Sequence, residues 1–102
     1  MSEQGFNEEL IVKALSLFVR DIEKFKEEDL QSPTFKAFIW ELSLNLVSFT
    51  SEKSYLKAAQ FMDLFCVNDH NLWINFEIFV LKKSENISPQ TMIKIMSHFA
   101  HQ

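Results

Sequence analysis

Apolar residues recur along this chain at spacings of three and four, the mark of helices that each bury one face. A first stripe starts near Asn7, a candidate cap followed by Glu8 and Glu9 at the positive end of the helix, and runs through Ile11, Ala14, Phe18, Ile22 and Phe25. The polar stretch KFKEEDLQ then reads as a fraying helix end and a connection, the best candidate in the chain for a mobile loop. A second helix opens at Ser32-Pro33 and continues to about Phe49. Phe35, Phe38, Ile39, Leu42, Leu46 and Phe49 share one side of it, and Trp40, Leu44 and Val47 carry the apolar surface so far round that this helix is expected to be central.

The third helix starts within TSEKS, with Ser51 or Ser54 as cap, and presents Tyr55, Ala58, Ala59, Met62 and Phe65. Its adjacent alanines permit close approach of a neighbour. Asp69 caps a fourth helix whose apolar residues, from Leu72 and Trp73 to Val80 and Leu81, again cover more than one face before Lys82 and Lys83. Asn68 and Asn86 are candidates for the left-handed exits that glycine usually fills. The fifth helix lies in NISPQTMIKIMSHFAHQ: Ser88 caps it, Pro89 suits its first turn, and Met92, Ile95, Met96 and Phe99 form its stripe. Gly and Pro are too scarce to punctuate strands, and short connections reverse the direction of successive helices. The expected fold is all-α, one domain over 1–102 with about five antiparallel helices, as a stack of helical hairpins (a short α-solenoid) or a compact bundle.

Composition changes this picture in one respect. Of 102 residues 47% are hydrophobic, with 11 Phe and two Trp, which is more apolar bulk than one small core hides. The surplus points to a face kept for another chain or for self-association. A net charge of −4 with Arg20 as the sole arginine gives little positive potential for a phosphate backbone, so nucleic acid is not expected as a partner. The adjacent Lys82 and Lys83 suit a helix C-terminus. Cys66 is the one cysteine; an internal disulfide is excluded, its setting in DLFCV reads as that of a small buried hydrophobe, and a reducing, intracellular compartment is expected. MSEQGFNEEL has neither the pattern of a secretory signal nor that of an organellar presequence, and LWINFEIFVL is too short and too interrupted to span a bilayer.

Laid over itself with a shift of 33, the chain sets Ile39 on Leu72, Trp40 on Trp73, Leu46 on Phe79 and Val47 on Val80. A shift of 34 sets Ser54 on Ser88, Met62 on Met96 and Phe65 on Phe99, which outlines candidate repeat units 35–68 and 69–102. The run from Asp69 through LWINFEIFVLKKSENISPQTMIKIMSHFA resembles the heptatricopeptide or octotricopeptide helical repeats of FAST-kinase-like and RAP-domain proteins. The resemblance lies in the aspartate before Leu72-Trp73, the serine that starts the second helix and the terminal Phe99-Ala100. It implies a helical-hairpin architecture and an association with organelles, especially mitochondria, and with RNA metabolism.

Little in the chain points to chemistry. Cys66 and His70 lie on either side of an expected helix break, His98 and His101 share a face, and neither pair makes a ligand set, so no metal or cofactor is expected. Glu8, Glu9, Glu27, Glu28 and Asp29 cluster at helix ends as a solvated acidic surface, while Glu41 and Glu77 sit among apolar residues as candidate buried acids or rim residues. No nucleophile elbow or phosphate-cradling glycine loop is present, and catalysis is not expected. Trp40 and Trp73 are candidate anchors for a partner, as is the terminal stripe of Met92, Ile95, Met96 and Phe99, one side of which no later helix covers. The leading expectation is a non-catalytic interaction module, a small accessory or scaffold subunit of a larger assembly in the cytoplasm or mitochondrion. A free-standing acidic inhibitor or immunity-like protein, and an organellar RNA-associated repeat protein, stand as alternatives.

Overall fold

The computed structural model describes residues 8–67 and 69–100, and every regular element among them is helical. Six α-helices follow one another: α1 (Glu8–Arg20), α2 (Glu27–Leu30), α3 (Pro33–Asn45), α4 (Glu52–Leu64), α5 (His70–Lys82) and α6 (Pro89–Phe99). Short 3-10 turns follow α1, α3 and α5. The caps fall where local chemistry puts them. The hydroxyls of Ser32, Ser51 and Ser88 and the carboxylate of Asp69 each accept a backbone N–H from the first turn of α3, α4, α6 and α5, and Pro33 and Pro89 open α3 and α6. Asn7 and Asn68, read as a cap and a helix exit, lie outside the described residues, as does His101.

Two expected elements differ. The first helix stops at Arg20, and a 3-10 turn then swings Phe25 into an extended conformation, where its ring meets Phe18 at 5.2 Å and Phe65 at 5.4 Å. The stretch expected as a loop contains α2, whose Asp29 carboxylate accepts the Lys26 N–H at 2.8 Å and whose Leu30 packs on the core.

The helices form two layers, in keeping with a smallest dimension of 24 Å. One layer is α1, α4 and α6, with α4 in the middle. Glu8, the first residue of α1, accepts the N–H of Ser51 at 3.1 Å and of Thr50 at 3.0 Å, the Thr50 hydroxyl at 3.0 Å, and the Ser54 hydroxyl. Glu52, the first residue of α4, accepts the Ser88 N–H at 2.8 Å and the Thr91 hydroxyl at 2.9 Å. At the opposite end His98 of α6 meets Asp63 of α4 at 2.7 Å. Helix start is thus tied to helix start and end to end, so the three helices run parallel. Burial opposes the charge on Glu8, but the hydrogen bonds from Ser54, Thr50 and Ser51 outweigh it and hold the carboxyl below its ordinary range; the Ser88 N–H and then the Thr91 hydroxyl do the same for Glu52.

The second layer, α3 and α5, runs the other way. Phe35 near the start of α3 meets Phe61 and Phe65 near the end of α4 at 6.0 and 5.8 Å, and Trp73 near the start of α5 meets Phe99 at the end of α6 at 5.4 Å. Successive long helices are therefore antiparallel, as short connections require. Pro33 and His70 open α3 and α5, and Glu52 and Pro89 open α4 and α6, so the two hairpins are offset by 37 residues in each case (33 to 70, 52 to 89). That offset sets Tyr55, Ala58, Ala59 and Met62 over Met92, Ile95, Met96 and Phe99. It does not align the two tryptophans: Trp40 is 64% exposed, whereas Trp73 is 8% exposed and donates its indole N–H to the Val67 carbonyl at 2.9 Å.

The central helix is α4, not α3. Ser54, Tyr55, Ala58, Ala59, Phe61 and Met62 of α4 are buried, against Phe35 and Leu42 alone in α3. Centrality follows from small size: Ala58 and Ala59 are fully covered and let neighbouring helices close on α4, where a larger side chain would hold them off. Tyr55 closes the α3 to α4 connection, donating its hydroxyl to the carbonyls of Leu46 (2.9 Å) and Phe49 (3.2 Å). Lys83 supports the same turn: its ammonium donates to the Val47 carbonyl at 3.4 Å and to the Phe49 carbonyl, and lies 5.9 Å from the Tyr55 ring centre.

Two outcomes follow from this packing. Replacing Ala59 with Leu overpacks the α4 contact and lowers stability by about 1–3 kcal/mol in urea unfolding, with the midpoint moved and the slope kept. Burial, aided by the negative charge of Glu8, pushes the Tyr55 phenol up to about 12. The fold favours the neutral phenol, so this stabilisation is complete below the unfolded-chain value of about 10 and is lost as pH rises from there towards the folded value. Since the chain has one tyrosine, tyrosinate absorbance should appear near pH 12 in the native protein and about two units lower in urea.

Candidate functional site

The layer formed by α3 and α5 turns an apolar outer face to solvent. At 3.6 residues per turn Trp40 and Leu44 lie opposite Phe35, Leu42 and the rest of the buried side of α3, and Val47 extends the line into the turn that follows. Ile74, Ile78 and Leu81 make the matching line on α5, opposite Leu72, Phe76 and Val80. All six outward residues are exposed, and each line has the spacing i, i+4, i+7.

The two helices approach where Lys83 reaches the turn after α3, and a groove of about 770 Å³ opens between their earlier turns. Phe35, Ile39, Phe65 and Leu72 give it an apolar floor, and Trp40 stands on one wall. Its polar lining includes Glu27 and Asp69 against Lys36. Glu41 and Glu77, candidate buried acids by sequence, are both exposed and border the two apolar lines. In sequence each stands between an outward residue and a core one, Glu41 between Trp40 and Leu42 and Glu77 between Phe76 and Ile78, so the turn of the helix sets it on the flank of the apolar line.

Cys66 also lines this groove. It is exposed, not the buried hydrophobe its neighbours suggest, because its backbone takes a left-handed conformation with φ of 52°. The Cys66 N–H donates to the Asp63 carbonyl at 3.1 Å and the Val67 N–H to the Met62 carbonyl at 2.9 Å, the Schellman pattern in which the reversed residue faces out and the next one, Val67, turns in. This is the left-handed exit expected at an asparagine; Asn86 sits instead in a 3-10 turn with negative φ.

Of the partner-binding candidates only Trp40 stands free on the surface. Trp73 and Ile95 are core residues, and Met92, Met96 and Phe99 are half-buried against the core, with the Phe99 ring 5.4 Å from Trp73 and 5.3 Å from Phe76. The terminal stripe is consumed internally because α4 accepts α6 so closely. What α6 shows to solvent is Ile93, 69% exposed, beside polar neighbours. The residues that join Trp40 at the surface, Leu44, Val47, Ile74, Ile78 and Leu81, carried their signal in the sequence as apolar positions beyond one helix face.

Among the described residues no three His, Cys, Asp or Glu side chains gather as metal ligands, and no helix is long and apolar enough to cross a membrane. No protein-family description, curated protein or solved structure matches the chain.

A non-glycine residue in the left-handed region costs about 1–2 kcal/mol, partly offset in a glycine variant by the greater freedom of its unfolded chain. Cys66→Gly should therefore raise stability by about 0.5–1 kcal/mol in urea unfolding, while Cys66→Val should lower it.

Proposed function

We propose that this protein is a non-catalytic helical interaction module, a small accessory or scaffold subunit that docks into a larger assembly through the outer face of α3 and α5. One observation supports the reading most directly: Trp40, Leu44, Val47, Ile74, Ile78 and Leu81 are exposed together on one layer, around a groove with an apolar floor. Scattered surface leucines are ordinary, but paired lines of large apolar side chains, with a tryptophan among them, are what a binding surface needs. The mechanism is shape and apolar burial, with Trp40 as the anchor. A reducing compartment suits the exposed Cys66, and the resemblance to organellar repeats makes a mitochondrial assembly, beside a cytoplasmic one, the setting proposed.

The test is a double variant, Trp40→Asp with Ile78→Asp, expressed in place of the natural chain in its own cells. Exposed positions of this kind change stability by within about 0.5 kcal/mol each, so helicity and melting should stay near those of the parent. The parent should elute in a complex larger than itself and the variant as the free chain. Retention of the folded variant in the same complex would sink this reading.

A further inference from the structure

We propose that the α3 and α5 face receives an amphipathic helix bearing basic residues. The inference rests on the docking role proposed above and names its partner by chemistry. Three observations lead to it. The first is geometric: α3 and α5 are parallel helices of 13 residues, each about 20 Å long at 1.5 Å per residue, with outward apolar side chains at i, i+4 and i+7. A helix of three to four turns laid along the groove between them presents its own apolar residues at that interval, whereas an extended strand needs a sheet edge, and every regular element among the described residues is helical.

The second observation is the groove itself. It opens between the earlier turns of α3 and α5 and is floored by Phe35, Ile39 and Leu72, so the anchors of an incoming helix have apolar surface to cover. The third is charge. Glu27 and Asp69 line the groove and Glu41 and Glu77 border the apolar lines, against Lys36 within the groove and the exposed Lys82 beside Leu81, on a chain whose net charge is −4. A partner helix with lysines or arginines flanking its apolar stripe meets these carboxylates at the rim, where charge sets approach rate and selectivity. The same carboxylates argue against a second copy, which would set like charges face to face, and against an anionic lipid surface.

The full chain is titrated with two synthetic peptides of about four turns, both with leucine at i, i+4, i+7 and i+11; one has lysine on its polar face and the other glutamate. The lysine peptide should bind about ten-fold or more tightly than the glutamate peptide, and the gap should narrow as salt rises. Trp40→Ala should weaken the lysine peptide about ten-fold, and Glu41→Gln with Glu77→Gln should reduce the preference between peptides, whereas Ile93→Ala on α6 should change neither. Circular dichroism confirms that each variant is folded. Equal binding of both peptides, each weakened by Trp40→Ala, would overturn the basic partner and leave the docking face standing. Absence of binding, or binding indifferent to Trp40→Ala, would also overturn it. So would dimerisation of the chain alone, or binding to vesicles of anionic lipid, if Trp40→Ala abolished either.

Discussion

Burial of the α4 surface that carries Ser54, Tyr55, Ala58, Ala59, Phe61 and Met62 is the constraint from which the other positions follow. A 13-residue helix with two fully covered alanines accepts neighbours at close range, and α1 and α6 take the two places this creates. The polar ties confirm the arrangement. Glu8 reaches the start of α4, Glu52 reaches from α4 to the start of α6, and Asp63 of α4 meets His98 of α6. With α4 so placed, the connection through Tyr55 and the turn at Cys66 and Val67 set α3 and α5 across it.

Much of the fold was legible because its determinants are local. Ser32, Ser51, Asp69 and Ser88 cap helices in the structure as their chemistry suggests, and short connections between those caps dictate antiparallel neighbours. The rank of the helices was not legible in the same way. A count of apolar positions favours α3, yet close packing rewards smallness, and α4 is central through two alanines while α3 keeps Trp40 and Leu44 in water. Long-range polar partners were equally hidden. Lys83 suits the end of its own helix by sequence, but its ammonium serves the turn after α3; Glu8 reads as an acidic first-turn residue of its own helix, yet it acts at the start of the next helix in the layer, as does Glu52. The left-handed turn fell to Cys66 because hydrogen-bond geometry at the end of α4, not residue preference, fixes where the chain reverses.

The candidate site was half visible. Trp40 and the general surplus of apolar residues were evident, but the surplus could be assigned to a face only once α6 was seen to bury its stripe. The stripe of Met92, Ile95, Met96 and Phe99 on α6 is used internally, with Ile93 left outside it; the apolar lines on the backs of α3 and α5 are not. The distinction depends on how each layer packs: α1 and α6 close on either side of α4, whereas α3 and α5 are separated over their earlier turns by a groove.

The parallel order of α1, α4 and α6 also has an electrostatic consequence. Peptide dipoles aligned side by side gather three positive helix starts along one edge of the molecule, and α3 and α5, reversed, bring their own starts to the opposite edge. The two layers therefore offset each other, and the backbone field fades within a short distance of the surface. A charged body approaching from afar senses the excess of carboxylates rather than the helices that hold them in place.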